Sequence, residues 1–198
     1  CYKKLNMSKK NSSVILKEGF EGFDDLSKTY FEFKKKFNYL KQNTYVVAVS
    51  GGPDSLALAA LTRALSFERK IKFYYVLVNH NLRKDSSKEA ILVKKLLKKK
   101  FFNLNILNNK SKILKNVQSQ ARLMRYKMLS NFCEKKGIKT IVTAHNLEDQ
   151  VETFFIRLSR GSGLTGLSGM KTFSSLNKNI NLFRPLLDVR KKILIKIS

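Results

Sequence analysis

Cysteine is nearly missing from this chain of 198 residues: there are two, Cys1 and Cys133, and no C-x-x-C spacing. Neither a zinc nor an iron–sulfur site is therefore signalled, and a reduced, cytoplasmic setting fits the count. No apolar run approaches the roughly 18 residues that a membrane-spanning helix needs, and the first twenty residues lack the apolar centre of a secretory signal, so no membrane partner is expected. Acidic residues are also scarce. Fourteen Asp+Glu stand against forty Lys+Arg, a formal charge of +26. Such an excess draws polyanions, RNA foremost, with strong salt dependence. An AT-rich genome also inflates Lys, Asn, Ile, Phe and Tyr whatever the function, so both sources of the charge stand. No internal repeat is visible. The chain opens on Cys1 and its first methionine is Met7, so either residues precede Cys1 or the start is Met7.

A hydrophobic content of 43% is ordinary for a globular protein, and the length suits one core. Residues 1–22 read as a loose basic leader. From Phe23 the apolar residues Leu26, Tyr30, Phe33, Phe37 and Leu40 recur at helical spacing, an amphipathic helix whose aromatic stripe reads as core. Tyr45 to Val49 is a short β-branched run, a buried strand, followed by a helix to about Phe67. Ile71 to Val78 is a second strand. A helix capped by Asp85 or Ser86 runs from Lys88 to about Lys100, with Ala90, Val93, Leu96 and Leu97 inward. Phe102 to Leu107 is a third strand and 108–116 a basic loop. Val117 to Lys136 is a long helix, with Met124, Met128, Leu129 and Phe132 as core and Gly137 as its stop. Lys139 to Thr143 is a fourth strand, and a helix begins at Asn146 or Leu147. Residues 171–179 are polar and irregular. Ile180 to Leu187 is a last extended segment, and Asp188 to Ile197 starts an amphipathic helix in which the chain stops. Strands alternating with helices imply an α/β, doubly wound parallel sheet with helices on both faces. The organisation expected is a leader and helix over 1–43, a central domain over 44–190, and the start of a further helix over 191–198.

The most informative stretch joins the first strand to its helix: Ser50-Gly51-Gly52-Pro53-Asp54-Ser55. Strand, glycine turn and helix start aim backbone N–H groups and the positive end of a helix dipole at an anion. Pro53 suits a first helical turn, and the hydroxyls of Ser50 and Ser55 add donors. The lysine of a G-x-x-x-x-G-K-[ST] loop is absent, so this is not a Walker A loop. A carboxylate beside a phosphate needs a cation between them, which makes Asp54 a candidate magnesium ligand; the alternative is that Asp54 caps the helix.

Further candidates follow the other strands, at the edge where α/β sheets collect ligands. His80 and Arg83 follow the second strand. Arg122 and Arg125 share a face of the long helix. His145 ends the fourth strand. Asp149 and Glu152 lie on one face of the next helix, where they suit a cationic substrate or merely complement the helix dipole. Arg157 and Arg160 follow, before Gly161, Gly163, Gly166 and Gly169. These glycines suggest a closely bent loop, which Leu164, Leu167 and Met170 argue is packed.

SGGPDS (50–55) resembles the pyrophosphate loop of the N-type ATP pyrophosphatases, which split ATP between its α and β phosphates. With NHNLR (79–83), ARLMRY (121–126), TAHNLEDQVET (143–153), RLSRGSGLTGLSGM (157–170) and RPLLDVR (184–190), the chain resembles the tRNA(Ile)-lysidine synthetases from Tyr45 to Arg190. The resemblance implies an adenine-nucleotide α-hydrolase-like, Rossmann-like fold. It also implies ATP and Mg2+ as cofactors, and tRNA(Ile) with a CAU anticodon and free L-lysine as substrates. The implied reaction adenylates the wobble cytidine and then forms lysidine. Ser50, Gly51, Gly52, Pro53, Asp54 and Ser55 would hold ATP, with Asp54 supporting the metal. His145, Asp149 and Glu152 would join Asp54 in catalysis. Asp149 and Glu152 would hold lysine's charged groups, and His80, Arg83, Arg122, Arg125, Arg157 and Arg160 the substrates. The family's usual aspartate in D-H-x-L-R is replaced by Asn79. Family members often continue into further tRNA-binding domains. The rival expectations are a tRNA sulfur transferase, for which Cys133 would be the reactive thiol although it reads as a buried packer, a non-catalytic basic RNA-binding module, and an enzyme that adenylates a small carboxylate or amide.

Overall fold

The computed structural model describes residues 24–100, 102–109, 111, 115–163 and 166–198. The leader over 1–22 and Leu164 lie outside the described residues. Six strands form one sheet, ordered β3-β2-β1-β4-β6-β5. They are β1 (Thr44–Val49), β2 (Lys72–Asn79), β3 (Leu104–Asn108), β4 (Thr140–Val142), β5 (Phe173–Ser175) and β6 (Asn181–Phe183). All neighbours pair in parallel except β5 and β6. The helices are α1 (Asp24–Asn38), α2 (Pro53–Glu68), α3 (Ser86–Lys99), α4 (Val117–Lys136), α5 (Leu147–Ser159) and α6 (Lys191–Ile197). Among the described residues, no helix is long and apolar enough to cross a membrane.

Strand alternation sorts the core into two layers. Tyr45, Val47 and Val49 of β1 face a layer containing Phe33 and Phe37 of α1, Leu58, Leu61 and Leu65 of α2, Leu97 of α3 and Leu194 of α6. Val46 and Ala48 face the other layer, with Leu129 and Cys133 of α4 and Ile141 of β4. The aromatic stripe of α1 is core, as its spacing implies. The Phe37 ring lies 5.4 Å from Tyr45 and 5.0 Å from Phe183, edge-on to both. Removing such a side chain costs about 3–5 kcal/mol. Gly137, at φ 66°, ends α4 in the left-handed conformation that suits glycine.

Four expectations are corrected. Leu96 is 50% exposed: α3 turns Ala90, Val93 and Leu97 toward the sheet, a stripe of spacing three and four that leaves Leu96 to one side. Residues 171–179 contain β5, an antiparallel edge strand registered Phe173 to Phe183 and Ser175 to Asn181. The extended segment Ile180–Leu187 pairs only over Asn181–Phe183, Pro185 falls past the last paired residue, and the helix expected from Asp188 begins at Lys191.

The chain passes from β1 out through β2 to β3, then returns to β4 on the other side of β1. A crevice opens where the order reverses, at the carboxyl ends of β1 and β4. Ser50, His80 and Thr143 follow β1, β2 and β4 at that edge.

Candidate functional site

The loop after β1 is held by its own last serine. Ser55 Oγ accepts hydrogen bonds from the backbone N–H of Ser50 and of Gly51, both at 3.1 Å, and donates to the Gly52 carbonyl at 2.8 Å. The Ser55 hydroxyl is therefore committed to shaping the loop. Gly51 sits at φ 90°, and a Cβ there would lie 2.8 Å from Cγ2 of Val93. Gly52 is the N-cap of α2 and no side chain caps the helix, so Asp54 is not a cap. The open first turn of α2 has the chemistry of an anion site.

A cavity of about 330 Å³ opens beside this loop. Ser50, Asp54 and Ser55 line it from the loop, His80 from β2, Arg122, Arg125 and Tyr126 from α4, Thr143 and His145 from the end of β4, and Asp149 from α5. A second cavity, about 270 Å³, shares Ser50, His80 and Arg125 and adds Arg83 with Leu77, Leu82 and Val93. Eight of the residues expected in the site thus meet on one cavity, and Arg83 lies on the next.

The charges in the cavity are not neutralised by one another. Burial raises the Asp54 carboxyl pKa; Asp149 and Glu148 add to this, while Lys191 and Asn146 oppose it. Asp54 Oδ1 is buried without a hydrogen-bond partner. A lone buried carboxylate oxygen is a donor for a hard cation of the kind that phosphates also bind, so the residues present fit Mg2+. Among the described residues no group of three or more acidic, His or Cys side chains gathers to hold a metal alone. Arg122 and Arg125 form no ion pair among the described residues. Burial, then the neighbouring Arg122, depresses the Arg125 pKa, which an anionic ligand would reverse. His145 is pushed down to about 4, first by burial and then by Arg184, with Arg122 and Arg125 adding and Asp149 opposing. His80 is lowered by burial and by Arg125, and its Nδ1 is buried without a partner.

Asp149 works twice. Its Oδ2 accepts from the Asn146 backbone N–H at 2.9 Å while Asn146 Oδ1 accepts from the Asp149 N–H at 3.0 Å, a capping box that starts α5. Its carboxylate also lines the cavity. Glu152, one turn further on, is exposed and lines neither cavity. Arg157 and Arg160 line neither as well: Arg157 Nη1 donates to the carbonyls of Gly166 and Ser168, and Arg160 is the exposed C-cap of α5. Gln150 completes this support of the glycine loop, donating to the Met170 carbonyl at 2.9 Å and accepting from the Met170 N–H at 2.6 Å. Asn79 is buried in an amide network: its Nδ2 lies 2.9 Å from Asn81 Oδ1, 3.0 Å from Ser87 Oγ and 3.1 Å from Asn108 Oδ1. A donor is wanted at that position, and an ionised aspartate has none.

Sequence reasoning gave no part in the site to Thr143, Tyr126 or Gln150, and placed Asn146 only at a helix start. The N-x-x-D spacing of Asn146 and Asp149 is a readable capping signature. Tyr126 lies one turn after Arg122, whose guanidinium sits 5.2 Å from its ring centre, a pairing the i,i+4 spacing permits. Thr143 and Gln150 carry no such signal, because their partners come from the fold.

A model of the PP-loop domain matches residues 26–198. The tRNA(Ile)-lysidine synthase of Wolbachia pipientis wMel is 43% identical over 161 residues, 79% of this chain and 37% of that protein. That of Wolbachia sp. subsp. Brugia malayi (strain TRS) is 44% identical over 162 residues, again 79% and 37%. The chain thus spans a little over a third of the length of these curated relatives. Among solved structures, a U34-tRNA thiolase from Methanococcus maripaludis, with its 4Fe–4S cluster, matches with a TM-score of 0.69 over 87% of this chain and 63% of its own, at 17% identity, a likeness of fold. The loop, the sheet order and the match over nearly the whole described chain agree: the chain belongs to the PP-loop family of ATP-binding domains.

Proposed function

We propose that this chain is the ATP-binding catalytic part of a tRNA(Ile)-lysidine synthetase, acting in the cytoplasm on tRNA(Ile) with a CAU anticodon and on free L-lysine. The observation that carries the reading is one cavity in which a helix start without a side-chain cap, two arginines with no ion pair among the described residues, and two carboxylates converge. Such a site takes a polyphosphate and a cationic amine together. In the reaction, the C2 carbonyl oxygen of the wobble cytidine attacks the α-phosphorus of ATP, and the bond to the β-phosphate breaks as pyrophosphate leaves. The ε-amine of lysine then attacks C2, the C2–O bond to AMP breaks, and the nitrogen loses a proton. A urea-like carbonyl is a poor electrophile, and esterifying its oxygen to phosphate turns that oxygen into a leaving group.

The first turn of α2 and the loop 50–55 bind the pyrophosphate portion. Asp54 would hold Mg2+, which would supply charge neutralisation at the phosphates. Arg122 and Arg125 bind the phosphate charge, for which a planar guanidinium suits. Asp149 receives the lysine ammonium, with Glu152 extending the acidic edge along α5. Arg83 and the apolar side chains of the second cavity take the adenosine. Arg157 shapes the glycine loop, and Arg160 meets tRNA phosphate.

Among the described residues the sulfur-transfer alternative finds no accessible thiol. Cys133 is fully buried in the core behind β1, its thiol pushed up to about 12 by burial, and Cys1 lies outside the described residues. The deciding experiment is transfer of radiolabelled lysine to unmodified tRNA(Ile) bearing CAU. ATP-dependent label that is lost in Asp54→Ala supports the reading; absence of both label and ATP–pyrophosphate exchange refutes it.

A further inference from the structure

Thr143 is the first residue beyond β4 and is 3% exposed. Its backbone N–H is spent on the Phe183 carbonyl at 2.9 Å. Its hydroxyl oxygen lies 2.9 Å from Nδ1 of His145, the only hydrogen bond of that hydroxyl among the described residues. A neutral imidazole carries one proton, on either nitrogen. If Nδ1 carried it, the ring would donate to the threonine oxygen and the buried O–H would have no acceptor. If Nε2 carries it, the O–H donates to Nδ1, and only oxygen lone pairs go unfilled. Burying an unsatisfied donor is the costlier arrangement.

We infer that Thr143 is a positioning residue: its hydroxyl donates to Nδ1 of His145 and so fixes the ring as the Nε2–H tautomer, offering a hydrogen-bond donor to the cavity. The ring stays neutral because its burial, and after that Arg184 with Arg122 and Arg125, oppose a second proton, while Asp149 favours one. His145 then acts through the direction of its N–H, toward an anionic oxygen held near Arg122 and Arg125, and is not the base that takes lysine's proton. What the donor contacts rests on the function proposed above; the tautomer does not.

The chain has two histidines, so long-range proton–nitrogen spectra of the 15N-labelled protein are simple, and loss of signals in His145→Gln assigns them. Wild type and Thr143→Ser should show a protonated Nε2 and a bare Nδ1. Thr143→Val, which keeps the shape but loses the donor, should show mixed tautomers and about tenfold slower lysine transfer, as expected for one lost orienting hydrogen bond. A protonated Nδ1 in wild type, or an unchanged tautomer in a folded Thr143→Val, would overturn the inference. If Thr143→Val fails to fold by circular dichroism, the wild-type and serine spectra decide. The Nε2–H pattern with no lysine transfer in any variant supports the positioning role and counts against the proposed reaction alone.

Discussion

Gly51 offers the sharpest test of how the loop is built, because two separable costs meet at one atom. Its φ of 90° lies in the left-handed region, where an L side chain costs about 1–2 kcal/mol. A Cβ there would also stand 2.8 Å from Cγ2 of Val93, inside the ordinary carbon–carbon contact of about 3.5–4.0 Å. Overpacking of that kind costs about 1–3 kcal/mol. Alanine's stiffer unfolded chain returns about 0.4–1 kcal/mol, so Gly51→Ala should destabilise by about 1–5 kcal/mol. The two parts come apart in a second variant. Val93→Ala removes the clashing methyl and leaves only Cβ, now 3.9 Å away. It relieves the overpacking but not the backbone strain. A urea-denaturation cycle over wild type, both single variants and the pair should therefore give a favourable coupling of about 1–3 kcal/mol. ATP affinity lost in Gly51→Ala should stay lost in the pair, since the loop's φ is still opposed. Additivity within about 0.5 kcal/mol would refute the contact between this loop and α3.

Asp54→Asn should leave the melting temperature of the ligand-free chain unchanged or slightly higher while abolishing ATP-dependent lysine transfer, because burial and two nearby carboxylates oppose ionisation of Asp54. A clear fall in melting temperature would show instead that the carboxylate stabilises the fold. The second test is of pH. His145 is held at about 4 in the folded chain against 6.5 for a free histidine. Between those values the unfolded chain binds a proton that the native chain refuses, so stability falls as pH drops from about 6.5 to 4, by up to about 3 kcal/mol, and levels off below. His145→Gln should flatten that slope in denaturation measured at stepped pH; an unchanged slope would mean that the ring is protonated in the fold.

Much of this architecture was legible because it is local. Tyr45 to Val49 reads as a buried strand from its β-branched run, and α4 runs from Val117 to Lys136, as its pattern and Gly137 indicate. β5 was not legible. Phe173-Ser174-Ser175 carries no alternation of its own and becomes a strand only because β6 presents an edge. Leu96 was misjudged because several stripes can be drawn through a helix rich in leucine, and only the sheet chooses one. The same division holds in the site. Ser50 to Ser55 announces itself because strand, turn and helix are contiguous. The pairing of Asp149 with Glu152 on a helix face is correct as periodicity, yet Asn146 starts α5 in such a way that Asp149 reaches the cavity and Glu152 does not.

That placement explains why the site's charges stay unpaired. Asp54 and Asp149 share a cavity with Arg122 and Arg125, yet no ion pair joins them among the described residues. Had stability alone shaped the cavity, a carboxylate and a guanidinium would have been brought together, since an uncompensated charge in a partly buried cavity is costly. The helices hold them apart instead. The carboxylates sit in the first turns of α2 and α5, where the dipoles favour negative charge. The guanidiniums come from α4, on the opposite face of the sheet from α2. A ligand that carries both signs, or two ligands of opposite sign, can satisfy both sets at once. A nucleotide phosphate beside a cationic amine, the pair proposed above, carries both signs.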